Sequence, residues 1–226
     1  MRGTVVLSLL AGAGAAVFPL EMPGVRPRLP RGESYLCTGV AVPSTPLHIT
    51  AFRPRAATTA HHLMVIGCSA PVTGLATNLW NCGGSLGEDG LESPGSACPG
   101  SAAQVLYMWA GDAGPLVFPA GVSLAVGGGS RVQHLVLQVH YWDKAGEGGD
   151  WSGVQAEYQT RPTSLQAGIL SLHAHGRLAA HTTVNWDSAC RMGGEVAVQP
   201  WAWLGHTHSH GRLVRDITYH YWSHCV

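Results

Sequence analysis

Histidines at short spacing are the residues of this sequence whose chemistry stands out. His206 and His208 are separated by one residue in GHTHSHG. In a strand, residues i and i+2 point to the same face, so the two rings would lie side by side as ligands of one metal ion. A surface pair at the start of a turn is the alternative. His210 continues the spacing, although Gly211 indicates that the strand ends there.

Three further histidines lie earlier, with His61 and His62 in HHLMVIGC and His140 in LVLQVHYW. Neighbouring side chains diverge on a regular strand, so joint ligation by His61 and His62 requires a β-bulge or the use of different ring nitrogens. His140 shares a face with Gln138 and His134, and we expect it to reach across a sandwich toward the pair. A hydrogen-bonded core histidine is the alternative for His140.

The ligand types indicate which metals could bind. Groups of three and two histidines, with few carboxylates or thiolates beside them, favour copper or zinc over magnesium or calcium. The residue types alone do not separate copper from zinc. The chain has 13 histidines, as many as its acidic residues, and histidine is the commonest ligand of transition metals near neutral pH.

The elements that position these rings are expected to be strands. The 226 residues include 30 glycines and 14 prolines but only 12% charged residues, which favours short strands and tight turns. Partly alternating apolar segments predict an all-β class, while QVLYMWA could form one or two helical turns. Loops are expected at residues 73–100 and 143–151. The predicted strands are SYLCTGVAV, HLMVIGC, GVSLAVGG, RVQHLVLQVHYW and EVAVQPWAWLGHTH.

The amino-terminal segment MRGTVVLSLLAGAGAA predicts a signal peptide at residues 1–15, with a basic start, an apolar run and an A-x-A site. Export would make disulfides the default for the six cysteines, although spacing alone does not give their pairing. No later apolar run reaches the ~18 residues that a transmembrane helix needs. We therefore expect a secreted, soluble protein.

Charge and composition also bear on partners and domains. Lysine plus arginine equals aspartate plus glutamate at 13 each, which argues against binding to nucleic acid. Proline and polar residues near residues 159–165 predict a domain boundary. We expect one domain at 16–160 and the first part of a second at 161–226.

The histidine-bearing segments HHLMVIGC, LVLQVHYW and GHTHSHG, in this order along the chain, resemble those of the peptidylglycine α-hydroxylating monooxygenase family. The MPGV and WA…P…GV…GG blocks separate that family from dopamine β-hydroxylase. The resemblance implies two jelly-roll-like antiparallel β-sandwich domains, the second incomplete in this chain. Its motifs, in the family's order over roughly residues 17–218, are EMPGVRP, FRPRA, HHLMVIGC, YMWAGDAGPLVFPAGVSLAVGG, LVLQVHYW, DWSGV and HTH.

The resemblance also implies two copper ions, with ascorbate as the reductant. His61, His62 and His140 would hold the electron-transfer copper. His206 and His208 would supply two of three ligands of the catalytic copper, and Gln138 would act in electron transfer between them. A buried amide that satisfies backbone groups is the alternative for Gln138. With dioxygen, the enzyme would hydroxylate the Cα of a C-terminal glycine in a peptide, and the product would break down to amidated peptide and glyoxylate, with a separate lyase as a candidate partner.

Disulfide pairing follows from the same resemblance. It implies the bridges Cys37–Cys82 and Cys68–Cys98. A third family bridge ends at the position of Trp151, and both of its cysteines are absent here. Cys190 matches a family cysteine whose partner would lie beyond this chain, so Cys190 is expected to be either free or bonded to Cys225.

Two features of the second domain depart from the family pattern. The family's third ligand to the catalytic copper is a methionine, and no methionine follows His208. Leu204 stands where the family has an arginine that binds the peptide carboxylate, so a charge-assisted contact is missing unless Arg212 or Arg215 replaces it. The candidates to replace the methionine are His210, His220 and His224.

These departures leave two hypotheses of different class. One is a peptidylglycine-type monooxygenase, which the lineage favours. The other is a secreted copper-binding module or fragment without turnover, which the missing methionine, the missing arginine and the short second domain favour for this polypeptide.

Overall fold

The computed structural model describes residues 16–29, 33–56, 59–72, 78–83, 96–111, 113–143, 147–172, 176–189, 198–205, 207 and 211–215. The chain divides into two compact units, Met1–Leu170 and Ser171–Val226. Among the described residues all secondary structure is strand, so the all-β class is confirmed. In that part of the chain there is no helix with the length and hydrophobicity needed to cross a membrane. The predicted domain boundary stays a prediction. The signal peptide also stays a prediction, since residues 1–15 lie outside the described residues.

Eleven strands, all in the first unit, make up the described secondary structure. In chain order they are β1 Ala16–Glu21, β2 Ser34–Ala41, β3 Leu47–Arg55, β4 Ala60–Cys68, β5 Leu79–Asn81, β6 Ala103–Ala110, β7 Leu116–Val117, β8 Val122–Val126, β9 His134–Tyr141, β10 Gly153–Gln159 and β11 Leu165–Gln166.

These strands form two sheets. The first sheet has the order β1-β10-β3-β8-β11, with β7 also paired to β3, and the second has the order β5-β2-β9-β4-β6. The pairs are antiparallel except for β8 with β11. One apolar cluster takes side chains from both sheets, among them Phe52 of β3 and Leu137 of β9. The rings of Phe52 and Tyr107 stack at 5.1 Å between the sheets. The first unit is therefore a β-sandwich.

The central strand of the second sheet is buried on both faces. Leu135, Leu137 and Val139 of β9 point into the sandwich core, so the alternating residues Val136 and Gln138 point to the opposite face, here called the outer face. A second, smaller cluster covers the outer face. Its members are Cys37, Met64, Ile66, Cys68, Cys82, Ala97, Cys98 and Val136.

Two disulfides attach the long loop after β4 to this outer face. The bridges Cys37–Cys82 and Cys68–Cys98, which the resemblance implied, are both present. They span sequence separations of 45 and 30 residues. By lowering the entropy of the unfolded chain, a bridge that closes a loop of that size would stabilise the fold by about 4 kcal/mol. The bridges thus hold Cys82 and Cys98 against the sheet.

Two local predictions differ from the structure. QVLYMWA is not helical but lies in β6, where it pairs with β4 from His62 to Cys68. Pairing with a neighbouring strand outweighs its weak local preference for a helix. Residues 198–205, assigned to a strand, contain no strand and are exposed. A strand needs a hydrogen-bonding partner, and the described residues of the second unit contain none, so the second, incomplete sandwich stays a prediction.

Candidate metal centre

A β-bulge brings two adjacent histidines to the same side of β4. Ala60 lies opposite Tyr141 and His62 lies opposite His140, with the register shift between them, so His61 is the extra residue. A bulge changes the direction of the side chain that it inserts. Of the two routes to joint ligation that the sequence left open, the bulge is the one present.

The three rings present the same nitrogen to one another. His61 Nδ1 lies 3.2 Å from His140 Nδ1 and 3.4 Å from His62 Nδ1, and the last two are 3.4 Å apart. His61, His62 and His140, here called the imidazole cluster, are the one group of at least three potential metal ligands found among the described residues. His62 and His140 are each 8% exposed.

The size of this triangle fits a transition metal. In the plane of the three nitrogens, the point equidistant from them lies about 1.9 Å from each, which is the circumradius of their triangle. Bonds from imidazole to zinc measure about 2.0–2.1 Å, and a tolerance of about 0.2 Å applies to candidate sites. Three nitrogen ligands without a carboxylate suit copper or zinc rather than magnesium or calcium. The residues present therefore fit a copper ion.

His140 reaches the pair along the sheet and not across the sandwich, so the expected route was wrong. His140 and His62 are direct neighbours on adjacent strands, β9 and β4. Opposite residues of adjacent strands have Cβ atoms about 5 Å apart, whereas stacked sheets are about 10 Å apart. The shorter separation lets two imidazoles share one ion on the outer face.

Strand β2 holds the other side of the His140 ring. Tyr35 of β2 lies directly opposite His140, and the two rings stack with centroids 4.1 Å apart at an interplanar angle of 6°. His140 Nε2 lies 2.9 Å from Glu33 Oε2. On the far side of the cluster, the indole of Trp142 lies 4.8 Å from the ring of His61. Each of these contacts limits how the rings can turn.

The sequence profile of the N-terminal domain of copper type II ascorbate-dependent monooxygenases matches residues 18–147, which is more than half of the chain. The chain belongs to this family. The entire imidazole cluster falls inside the matched range.

The curated relatives of the chain include amidating monooxygenases. The chain is 31% identical over 219 residues to peptidyl-glycine alpha-amidating monooxygenase B of Xenopus laevis, covering 94% of this chain and 23% of the relative. It is 29% identical over 202 residues to the Rattus norvegicus peptidylglycine alpha-amidating monooxygenase, covering 86% of this chain and 19% of the relative. The chain thus spans less than a quarter of the length of these relatives.

Gln138, which the resemblance to the copper monooxygenases singled out, is 1% exposed on the outer face. Its Nε2 lies 3.3 Å from the carbonyl oxygen of Gly83 and 3.4 Å from Sγ of Cys82. Its Oε1 is buried and has no hydrogen-bond partner among the described residues. Donation to a backbone carbonyl is what a structural amide would do, so the electron-transfer role of Gln138 stays a prediction.

Asp150, the first residue of the DWSGV motif, is a buried carboxylate that supports the bulge. Asp150 is 2% exposed and accepts hydrogen bonds from Thr59 Oγ1, from Tyr141 OH, and from the amide and hydroxyl of Ser152, at 2.8–3.0 Å. Burial and the neighbouring Asp150 charge raise the pKa of Tyr141 far above its ordinary value. Thr59 immediately precedes β4, so Asp150 connects the end of β9 to the start of the bulged strand. The DWSGV motif did not indicate this role, because it depends on contacts with Thr59 and Tyr141, which lie outside the motif.

The second predicted ligand pair of this chain cannot be placed in the same way. His206 and His208 lie outside the described residues, as do Cys190 and Cys225 and the alternative ligands His210, His220 and His224. Leu204 is described and is 57% exposed. The catalytic copper ligands therefore stay predictions.

Proposed function

We propose that this chain is a copper- and ascorbate-dependent monooxygenase that hydroxylates the Cα of C-terminal glycine in peptides, the first step of peptide amidation. The observation that carries the proposal is the convergence of three Nδ1 atoms inside the region that matches the family. The relatives support the substrate class, since they carry the name peptidylglycine alpha-amidating monooxygenase.

In this proposal His61, His62 and His140 hold the electron-transfer copper. Copper bound there would supply electrons one at a time. The three neutral imidazoles add no charge, so they suit both oxidation states of the ion. The chain's own contribution is to hold the rings close together beforehand, through the bulge, the pairing of β4 with β9 and the stacking of Tyr35. Little rearrangement would then accompany metal binding or a change of oxidation state.

The second part of the proposal concerns the site where the peptide and dioxygen react. His206 and His208 would hold the catalytic copper there, and Gln138 would lie on the path between the two ions. Ascorbate would provide two electrons for each turnover. One atom of dioxygen would enter the Cα–H bond of glycine, and the other would leave as water with two protons.

We further propose that the protein is secreted or acts in the lumen of the secretory pathway. The two disulfides support this location, because such bridges persist in oxidising compartments. A separate lyase activity would complete the conversion of the hydroxylated peptide to the amide.

The decisive experiment is turnover by the purified, copper-loaded chain with ascorbate, dioxygen and a peptide ending in glycine. The expected product is heavier than the peptide by one oxygen atom, and none forms from the same peptide ending in alanine. The His62→Ala variant should lose the copper ion of the imidazole cluster and should form no product. His48→Gln is the control, because His48 is buried in the first sheet beside Ser123 and is not in the imidazole cluster.

The second candidate function is a copper-binding module without turnover. It is favoured by the placement of the whole imidazole cluster within the first unit. In the same experiment this function predicts copper bound through the cluster, reducible by ascorbate, with no hydroxylated peptide at any concentration of substrate. Product formation would exclude it.

A further inference from the structure

His140 is held at its ring face by Tyr35 of β2 and at its ring edge by Glu33, which lies just before that strand. Tyr35 of β2 covers the face of the ring. Glu33 precedes Tyr35 by two residues, so the alternation of an extended chain places both on the same side of the backbone. The carboxylate of Glu33 then meets the ring edge, with Oε2 2.9 Å from Nε2.

This contact decides which nitrogen of His140 carries the proton. A carboxylate accepts hydrogen bonds and does not donate them, so the 2.9 Å contact requires the proton to be on Nε2. A neutral ring with its proton on Nε2 has an unprotonated Nδ1. That Nδ1 is the atom facing His61 and His62 at 3.2 and 3.4 Å. Glu33 therefore leaves the lone pair of His140 directed at the centre of the imidazole cluster.

We propose that Glu33 is a positioning residue of the metal centre. It holds the His140 proton on Nε2, fixes the orientation of the ring and strengthens Nδ1 as an electron donor to copper. The inference rests on the proposed copper function and names a residue, outside the set of ligands, that tunes that site.

The exposure of Glu33 distinguishes positioning from a contribution to folding. Its side chain is 53% exposed, whereas that of His140 is 10% exposed. A pair with one partner in water contributes little to the stability of the fold. The loss of Glu33 should therefore leave the melting temperature nearly unchanged while it weakens metal binding.

The test compares Glu33→Ala and Glu33→Gln with the wild-type full chain. Glu21→Gln is the matched control, since Glu21 is a partly exposed carboxylate paired with Arg55 in the first sheet. Affinity for Cu(I) is measured by competition with a chromophoric chelator. We expect Glu33→Ala to weaken Cu(I) binding by about 10–100-fold, the usual effect of losing such a partner. Glu33→Gln should weaken it less, because the amide oxygen still accepts from Nε2.

Two readouts separate this role from general damage. In the metal-free, ¹⁵N-labelled chain, the hydrogen-bonded Nε2–H of His140 should give a resolved proton signal that persists in Glu33→Gln and disappears in Glu33→Ala. In the copper-loaded chain, Glu33→Gln should raise the reduction potential, because a nearby negative charge that stabilises Cu(II) is gone. Glu21→Gln should change neither.

The outcomes distinguish this inference from the function on which it rests. Both would be overturned by a wild-type chain that binds no Cu(I), or by a His62→Ala variant that binds as many Cu(I) ions as the wild type with the same affinity. Cu(I) binding that requires His62 but has the same affinity and potential in all Glu33 variants would overturn the inference alone. Weaker Cu(I) binding by a Glu33 variant whose melting temperature is also clearly lowered would overturn it too, since the effect would then be on folding.

Discussion

At the scale of residues, the imidazole cluster is a polar arrangement that a cation satisfies better than the rings satisfy one another. Each neutral imidazole has either a proton or a lone pair at Nδ1. Three Nδ1 atoms within 3.4 Å of each other cannot all be matched as donor and acceptor in pairs. A metal ion at the centre would accept all three lone pairs at once. The arrangement is therefore more typical of a metal site than of a set of core histidines.

Trp142 provides an optical test of where the metal binds. Its indole is 58% exposed and lies 4.8 Å from the ring of His61. Because Cu(II) quenches the fluorescence of a nearby indole, titration with Cu(II) should quench the emission of the chain, and Trp142→Phe should remove the larger part of that effect. Trp151→Phe is the control, since Trp151 is 56% exposed and packs over Gly24. Equal quenching in Trp142→Phe and wild type would place the ion elsewhere.

His134 should make folding stability depend on pH. Burial lowers its pKa, and neither ring nitrogen has a hydrogen-bond partner among the described residues. The unfolded chain therefore binds a proton at higher pH than the folded chain, so this residue reduces the free energy of unfolding as pH falls below about 6.5. His134→Leu should lose that part of the pH dependence and be at least as stable at pH 8.

Denaturant titrations of wild type and His134→Leu at a series of pH values would check this. If the free energies of unfolding of wild type and His134→Leu change equally from neutral to acid pH, His134 titrates alike in the folded and unfolded chain. The site tolerates little extra volume, because a methyl group added at Gly39 would lie 2.6 Å from His134 Nε2.

At the scale of elements, the bulge in β4 depends on how its neighbours are fastened. Trp142 donates its amide hydrogen to the carbonyl of Thr59, and the Thr59 hydroxyl donates to Asp150. Two strand ends thus meet at one buried carboxylate beside the bulge. Their attachment keeps His61 and His62 on the same side of the strand.

Asp150→Asn should therefore reduce both stability and metal affinity. The amide replaces an acceptor with a donor that faces the donors of Thr59, Tyr141 and Ser152. An unsatisfied buried group of this kind costs about 1–3 kcal/mol of unfolding free energy. Denaturant titration would measure that loss, and copper titration would measure the accompanying loss of affinity. Asp143→Asn, at an exposed position, is the control, and equal effects of the two substitutions would refute the role of Asp150.

At the scale of the whole molecule, the outer face of the second sheet depends on disulfides more than on apolar area. The cluster that covers it contains both bridges and few large side chains. The sandwich core, by contrast, is formed by apolar residues of both sheets. The imidazole cluster lies on the side of the sheet that the bridges stabilise.

Replacing Cys37 and Cys82 together by alanine should lower the free energy of unfolding by about 4 kcal/mol, from the loss of a 45-residue cross-link. It should also release Gln138, whose amide lies beside Cys82. Thermal unfolding of the double variant would test the loss of stability, and the side-chain amide signal of Gln138 in the ¹⁵N-labelled chain would test its release. A melting temperature that does not change would show that the loop is held by its other contacts.

Strand positions were the part of the fold that local pattern could predict. The sequence predicted strands β2, β4, β8 and β9, because a short, partly alternating apolar run bounded by glycine or polar residues is typical of a strand. β6 was missed because its partner β4 decides its conformation. The two disulfide pairs came from the family resemblance, since spacing alone allows many pairings.

The sequence by itself determined the all-β class and the ligand types, because both depend on which residues are present and on their local spacing. Only the tertiary structure decided that His61 is the extra residue of a bulge, that His140 lies beside His62 on the next strand, and that Glu33 and Asp150 support the cluster. Those facts depend on strand register, and register is set by contacts between segments that lie far apart along the chain.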